Sequence, residues 1–195
     1  MVQRNQHPAP RAGVTQAAHR TVAVLANVVM PATLGVLLTT STATLTAQFS
    51  SPVEDMQRAR SILAELVEIN TTNSERGDNT EAARALERRL LEAGFPEGDV
   101  HVVVPDDAPT KGNLVARYRG RNADLKPILL LAHIDVVEAL PGDWSVDLNP
   151  FELLERGGYF YGRGVTDDKD EAAIYAANLI RMRREGFVPE RDIIV

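Results

Sequence analysis

From residue 51 onward the apolar positions alternate between helical and extended spacing. Ser51-Pro52-Val53-Glu54 has the form of a capping box with proline at the first helical position. Ala59, Ile62, Leu63 and Leu66 follow at i, i+3, i+4 and i+7, which predicts a helix with one apolar face. A second helix opens at Asp78, with Glu81 three positions on, runs through Ala83, Leu86 and Leu90, and stops at Gly94 before Pro96. The segment NTTNSERGD between them reads as a polar loop. Short extended runs come next: His101–Val104, Asn113–Tyr118, and Ile128–Leu131, whose unbroken apolar character predicts a strand covered on both faces. Phe151–Leu154 and Tyr159–Tyr161 flank Gly157-Gly158 as a hairpin. A third helix spans about Asp168–Glu185, with Ala173, Ala176, Ala177 and Ile180 on one face and Gly186 at its end. Asp192–Val195 begins another strand.

Helices interspersed with buried strands predict an α/β fold, a three-layer sandwich around a mixed, largely parallel sheet. A bare apolar strand at 192–195 needs a turn and a covering layer after it, so residues 48–195 read as the N-terminal part of a larger domain.

The first 47 residues follow a different rule. They hold Arg4, Arg11 and Arg20 and no acid, and no charge occurs between Arg20 and Glu54. Val22–Leu38 is strongly apolar and TTSTATLTA after it is small and polar, the sequence form of an export signal with cleavage after Ala43 or Ala47. This 17-residue, mostly apolar stretch also reaches the lower limit for an uncleaved membrane anchor. The expectation is an exported protein, periplasmic or secreted, touching a membrane only through this segment. The remaining chain carries 18 basic against 27 acidic residues, too acidic for phosphate-backbone binding, and nucleic acid is excluded as a partner. Cysteine is absent, so any metal must be held by His, Asp or Glu.

Two segments carry chemistry. His133-Ile134-Asp135 follows an apolar strand, where ligands gather in open α/β sheets, and residues two apart share a face, so imidazole and carboxylate face one cleft. That suits a metal-bound His oriented by a neighbouring acid; equally it suits a polar strand exit with the His bonded to nearby backbone. In Tyr161-Gly162-Arg163-Gly164-Val165-Thr166-Asp167-Asp168-Lys169, two glycines precede paired acids at a helix start. Asp167 is the candidate bridging carboxylate. The plainer reading makes Asp167 a helix N-cap, Asp168 a first-turn acid and Lys169 a solvated side chain. Serine-hydrolase elbows, phosphate loops and dinucleotide fingerprints are all missing.

Taken together, LLLAHIDVV (129–137), DW (143–144), NPF (149–151) and GYFYGRGVTDDK (158–169), with lesser matches KGNLVARY (111–118) and PERDIIV (189–195), resemble the metallopeptidase family of aminoacylase, carboxypeptidase G, acetylornithine deacetylase and succinyl-diaminopimelate desuccinylase. The resemblance covers roughly residues 53–195. It implies two zinc ions (Co2+ or Mn2+ as substitutes) about 3.5–4 Å apart, with His133 on one, Asp167 bridging both, Asp135 behind His133 as the catalytic orienting acid, and a cis peptide at Asp167–Asp168. It also implies hydrolysis of a small peptide or N-acyl amino acid by metal-activated water, and a lid domain through which homodimers form. The family's general-base glutamate and remaining ligands belong after the strand that starts at Asp192, so this polypeptide is expected to be inactive alone. Asp170 stands where the family usually has glycine, either crowding the turn or facing solvent. The competing expectations are an exopeptidase, an N-acyl amino acid deacylase, and a non-catalytic remnant or binding protein that keeps the fold.

Overall fold

A computed structural model describes residues 52–195; the leader expected over 1–47 and Ser51 of the capping box lie outside the described residues. Helix α1 is Pro52–Glu68, α2 is Asn79–Glu92 and α3 is Lys169–Arg184. The strands are β1 (Val100–Val103), β2 (Asn113–Tyr118), β3 (Ile128–Leu129), β4 (Leu154–Arg156), β5 (Tyr159–Tyr161) and β6 (Ile193–Ile194). Among the described residues, no helix is long and apolar enough to cross a membrane.

Helix α2 begins as its sequence dictates: Asp78 accepts the Glu81 N–H at 3.0 Å, satisfying one of the donors a helix start leaves free. Its apolar stripe, Ala82, Leu86 and Leu90, joins Ile62, Leu66 and Val67 of α1 and Ala173, Ala176 and Ile180 of α3 in one core.

The four-stranded sheet is mixed, in the order β1-β2-β6-β3. β1 pairs antiparallel with β2, β2 antiparallel with β6, and β6 parallel with β3. Alternation then sorts the side chains. Ala116 and Tyr118 are buried beneath the helices with Val100 opposite, while Val103 and Val115 point to the other, exposed face.

One expectation fails at β3. Ile128, Leu129 and Leu131 are 46, 60 and 73% exposed rather than covered on both faces. The reason is topological: β3 has β6 on one side only, and among the described residues no layer covers the sheet face on which Leu129 and Leu131 lie. The hairpin is also shifted. Asn149 turns the chain by accepting the Phe151 N–H through its side chain (3.0 Å) and the Glu152 N–H through its carbonyl (3.2 Å), which delays β4 to Leu154.

Asp192 fastens the centre of the sheet. Its carboxylate accepts the Gly120 N–H and the Arg117 Nε–H, each at 2.7 Å, while its carbonyl accepts the Ile128 N–H at 2.9 Å. The Gly120 amide first, and the Arg117 guanidinium second, hold this carboxyl below its ordinary value. A carboxyl whose folded pKa is depressed contributes stability that is complete above its unfolded pKa of about 3.9 and is lost as pH falls through the lower folded value. Asp192→Asn should therefore unfold at lower denaturant near neutrality but lose less on acidification. Urea titrations at several pH values check this, and parallel acid limbs for the two proteins would refute it.

Candidate metal centre

The site is assembled from two loops that the fold brings together from 34 positions apart. The first leaves β3 and carries His133 and Asp135; the second leads into α3 and carries Asp167 and Asp168. The His133 Nε2 lies 2.9 Å from the Asp167 carboxylate. On the other side of the ring, Nδ1 faces the Asp135 carbonyl at 3.2 Å and its carboxylate at 3.4 Å. His133, Asp135 and Asp167 side chains are 54, 55 and 84% exposed, lining an open depression of about 170 Å³. Partial burial pulls the His133 pKa down, but the Asp135 carbonyl and the Asp167 carboxylate outweigh it and the net shift is upward.

The acids on either side of the second loop have separate roles. The N-cap of α3 is Asp168, not Asp167, and its side chain makes no capping bond. Instead its carboxylate accepts the backbone N–H of His133 at 3.2 Å, tying the two loops together. The Asp167–Asp168 peptide is cis. Asp170 is half-buried, and its Oδ1 is shielded and has no hydrogen-bond partner.

Glycine is required in this loop because of what lies beside it. At Gly164 φ is +88°, and a Cβ would stand 2.9 Å from both Lys169 Cδ and Val136 Cγ1.

Lys169 corrects the solvated reading outright. It is fully buried, and its Nζ donates to the carbonyls of Leu66 (2.6 Å) and Ile69 (2.9 Å) at the end of α1. Those are carbonyls a helix C-terminus leaves unpaired, and a cation is favoured there. Burial pushes its pKa down to about 8. The signal was present in the sequence: Lys169 stands at i to Ala172, Ala173 and Ala176 at i+3, i+4 and i+7, on the apolar face. Thr71 and Thr72, read as polar loop, are also fully buried. Thr71 donates its hydroxyl to the Ile134 carbonyl at 2.6 Å.

Other titratable groups are engaged elsewhere. Glu155 pairs with Arg60, and the His101 ring bonds the Gly98 carbonyl at 3.0 Å. Among the described residues no cluster of three or more His, Asp or Glu is placed to hold an ion. The His133–Asp167 pair nevertheless has the right donor chemistry for a zinc-class cation, an imidazole nitrogen converging with a carboxylate. It fits as a partial ligand set.

The fold is that of known dipeptidases. A di-peptidase, Dug1p from Saccharomyces cerevisiae, superimposes with a TM-score of 0.57 at 20% identity over 77% of this chain and 33% of that one. Human carnosine dipeptidase 1 gives 0.57 at 19% over 73% of this chain and 32% of its own. Residues 129–195 match the model of peptidase family M20/M25/M40. Curated relatives include the N-fatty-acyl-amino acid synthase/hydrolase PM20D1 of Mus musculus, 29% identical over 76% of this chain and 29% of that protein. A probable succinyl-diaminopimelate desuccinylase of Staphylococcus aureus is 30% identical over 68% of this chain and 30% of its own. The chain thus spans under a third of the length of these curated relatives.

Proposed function

We propose that this chain is the N-terminal portion of an exported two-zinc hydrolase that cleaves the amide bond of a peptide or an N-acyl amino acid. The observation that carries the reading is the 2.9 Å approach of His133 Nε2 to the Asp167 carboxylate across 34 positions, on an open surface. The curated relatives support amide hydrolysis as the reaction class. His133 and Asp167 are the residues that would hold the metal. Bound zinc supplies Lewis acidity and a water acidified to a pKa of about 7. Asp135 fixes the His133 ring by accepting at Nδ1, so that Nε2 is the nitrogen turned toward Asp167. Asp168 holds the backbone of the His133 loop against the second loop. Among the described residues no third His, Asp or Glu joins this pair to hold an ion, and the 195-residue chain is proposed to be inactive by itself.

The test is Co2+ binding followed by its visible absorption. His133→Ala and Asp167→Ala should each weaken binding by at least tenfold, on the order seen when groups supporting a metal site are removed. Dipeptides and N-acyl amino acids should show no turnover with the isolated chain and added zinc. Unchanged Co2+ affinity in both variants would sink the assignment, and turnover would sink the claim of inactivity.

Residues 1–47 are proposed as the export leader. Expressed in a secreting bacterial host, the protein should be recovered outside the cytoplasm with its N-terminus at Thr44 or Gln48. An intact N-terminus on cytoplasmic protein contradicts this.

A further inference from the structure

The two site loops do not hold each other unaided; both are fastened to the same seven residues. The turn that leaves α1, Leu66 to Thr72, receives the Asp167 loop through Lys169, whose buried Nζ donates to the Leu66 and Ile69 carbonyls at 2.6 and 2.9 Å. It receives the His133 loop through Thr71, whose hydroxyl donates to the Ile134 carbonyl at 2.6 Å and whose own carbonyl accepts the Val136 N–H at 3.1 Å. Thr72 and Val136 add a parallel bridge. The turn is itself wired: Asn70 Oδ1 accepts from both the N–H and the hydroxyl of Thr72, at 3.0 and 2.8 Å, and Asn70 carbonyl accepts the Asp78 N–H at 2.8 Å. The two anchoring side chains, Thr71 and Lys169, are fully buried, and so is Thr72.

We propose that the exit turn of α1 is a bracket that sets the spacing of His133 and Asp167, with Lys169 and Thr71 as positioning residues for metal binding. The inference rests on the two-metal reading above and goes one step behind the ligands. His133 and Asp167 are exposed and have few neighbours to fix them, so their separation is decided by where their loops are pinned. One pin is two residues past Asp167; the other bonds the carbonyl of the residue after His133. Both meet a rigid helix end, which the packing of α1 against α3 keeps in place. A hydroxyl and an ammonium that touch no ligand directly thereby control the geometry of two that do.

Two near-isosteric variants of the 195-residue chain test it: Thr71→Val, which removes one hydroxyl, and Lys169→Met, which removes the ammonium while keeping the apolar stem. Co2+ affinity and the position and intensity of the visible Co2+ band are read below the melting temperature of each variant, with circular dichroism confirming the fold. The expected result is about a tenfold or greater loss of affinity and an altered band in both, with Thr71→Ser close to the parent. A purely structural role would lower the melting temperature but leave the affinity and band of the folded chain unchanged, and that result overturns the inference. Should Lys169→Met fail to fold, Thr71→Val decides alone. His133→Ala and Asp167→Ala run alongside separate the two failures. If they abolish binding while the positioning variants do not, the bracket is wrong; if they change nothing, the metal centre is wrong and the bracket falls with it.

Discussion

Lys169→Glu is expected to leave the chain without a cooperative unfolding transition at 25 °C. The ammonium at this position is completely shielded and faces two carbonyl oxygens, those of Leu66 and Ile69. A carboxylate in its place meets two acceptors and no donor. Burying an unpaired carboxylate costs several kcal/mol even after relaxation, and orphaning two buried carbonyls adds about 1–3 kcal/mol each. A domain's whole margin is about 5–15 kcal/mol. Protonating the carboxyl would limit the loss but still supply only one donor for two acceptors. Denaturant titration followed by circular dichroism checks this, and a sigmoidal transition within about 1 kcal/mol of the parent would contradict it.

The second large effect is expected at Leu66, which is fully buried in the core that α1 shares with α3. Leu66→Ala removes buried methyl groups and leaves a void that helix–helix packing fills only in part. The expected loss is about 3–4 kcal/mol, or roughly 10 °C in melting temperature for a domain of this size. A shift below about 2 °C would mean that the interior collapses around the missing atoms. Since Leu66 also presents its carbonyl to Lys169, the variant links the core to the candidate metal centre through one residue.

What was legible in the amino-acid sequence followed the range of the forces involved. Helix α2 could be read end to end because its signals are local: the Asp78 cap, its bond to Glu81, and an apolar stripe at helical spacing. β2 was found with its boundaries intact, Asn113–Tyr118. β3 was not, because whether Ile128 and Leu129 are covered depends on which strands lie beside them, and that is settled by residues more than sixty positions away. The candidate site divides in the same way. His133, Asp135 and Asp167 were legible through the family resemblance of the segments that carry them rather than through either motif alone, and the fold brings all three to one depression. Thr71 and Thr72 look like ordinary surface residues in a linear reading, and Lys169 is marked only by its place on the apolar face of α3. The burial of all three is tolerable because each polar group is satisfied, Thr71 and Lys169 by backbone carbonyls distant in sequence and Thr72 by its neighbour Asn70. Asp168 is intermediate: its position before the helix was plain, whereas its bond to the His133 amide required the third dimension.

The strand order β1-β2-β6-β3 has a consequence for synthesis on the ribosome. Ile193 and Ile194 lie between Tyr118–Arg117 and Ile128–Leu129, so β2 and β3 have no ladder with each other. While the chain is being made, Ile128 and Leu129 therefore wait for about sixty-five further residues, plus those still inside the exit tunnel, before their hydrogen-bonding partner emerges. The loop that carries His133 begins a few residues past that waiting strand, so it has its Thr71 contacts within reach but not the strand pairing before it. Stalled nascent chains should remain protease-sensitive at residues 125–135 until residue 194 has cleared the tunnel. Translation thus delivers one half of the candidate centre long before the strand that pairs with β3.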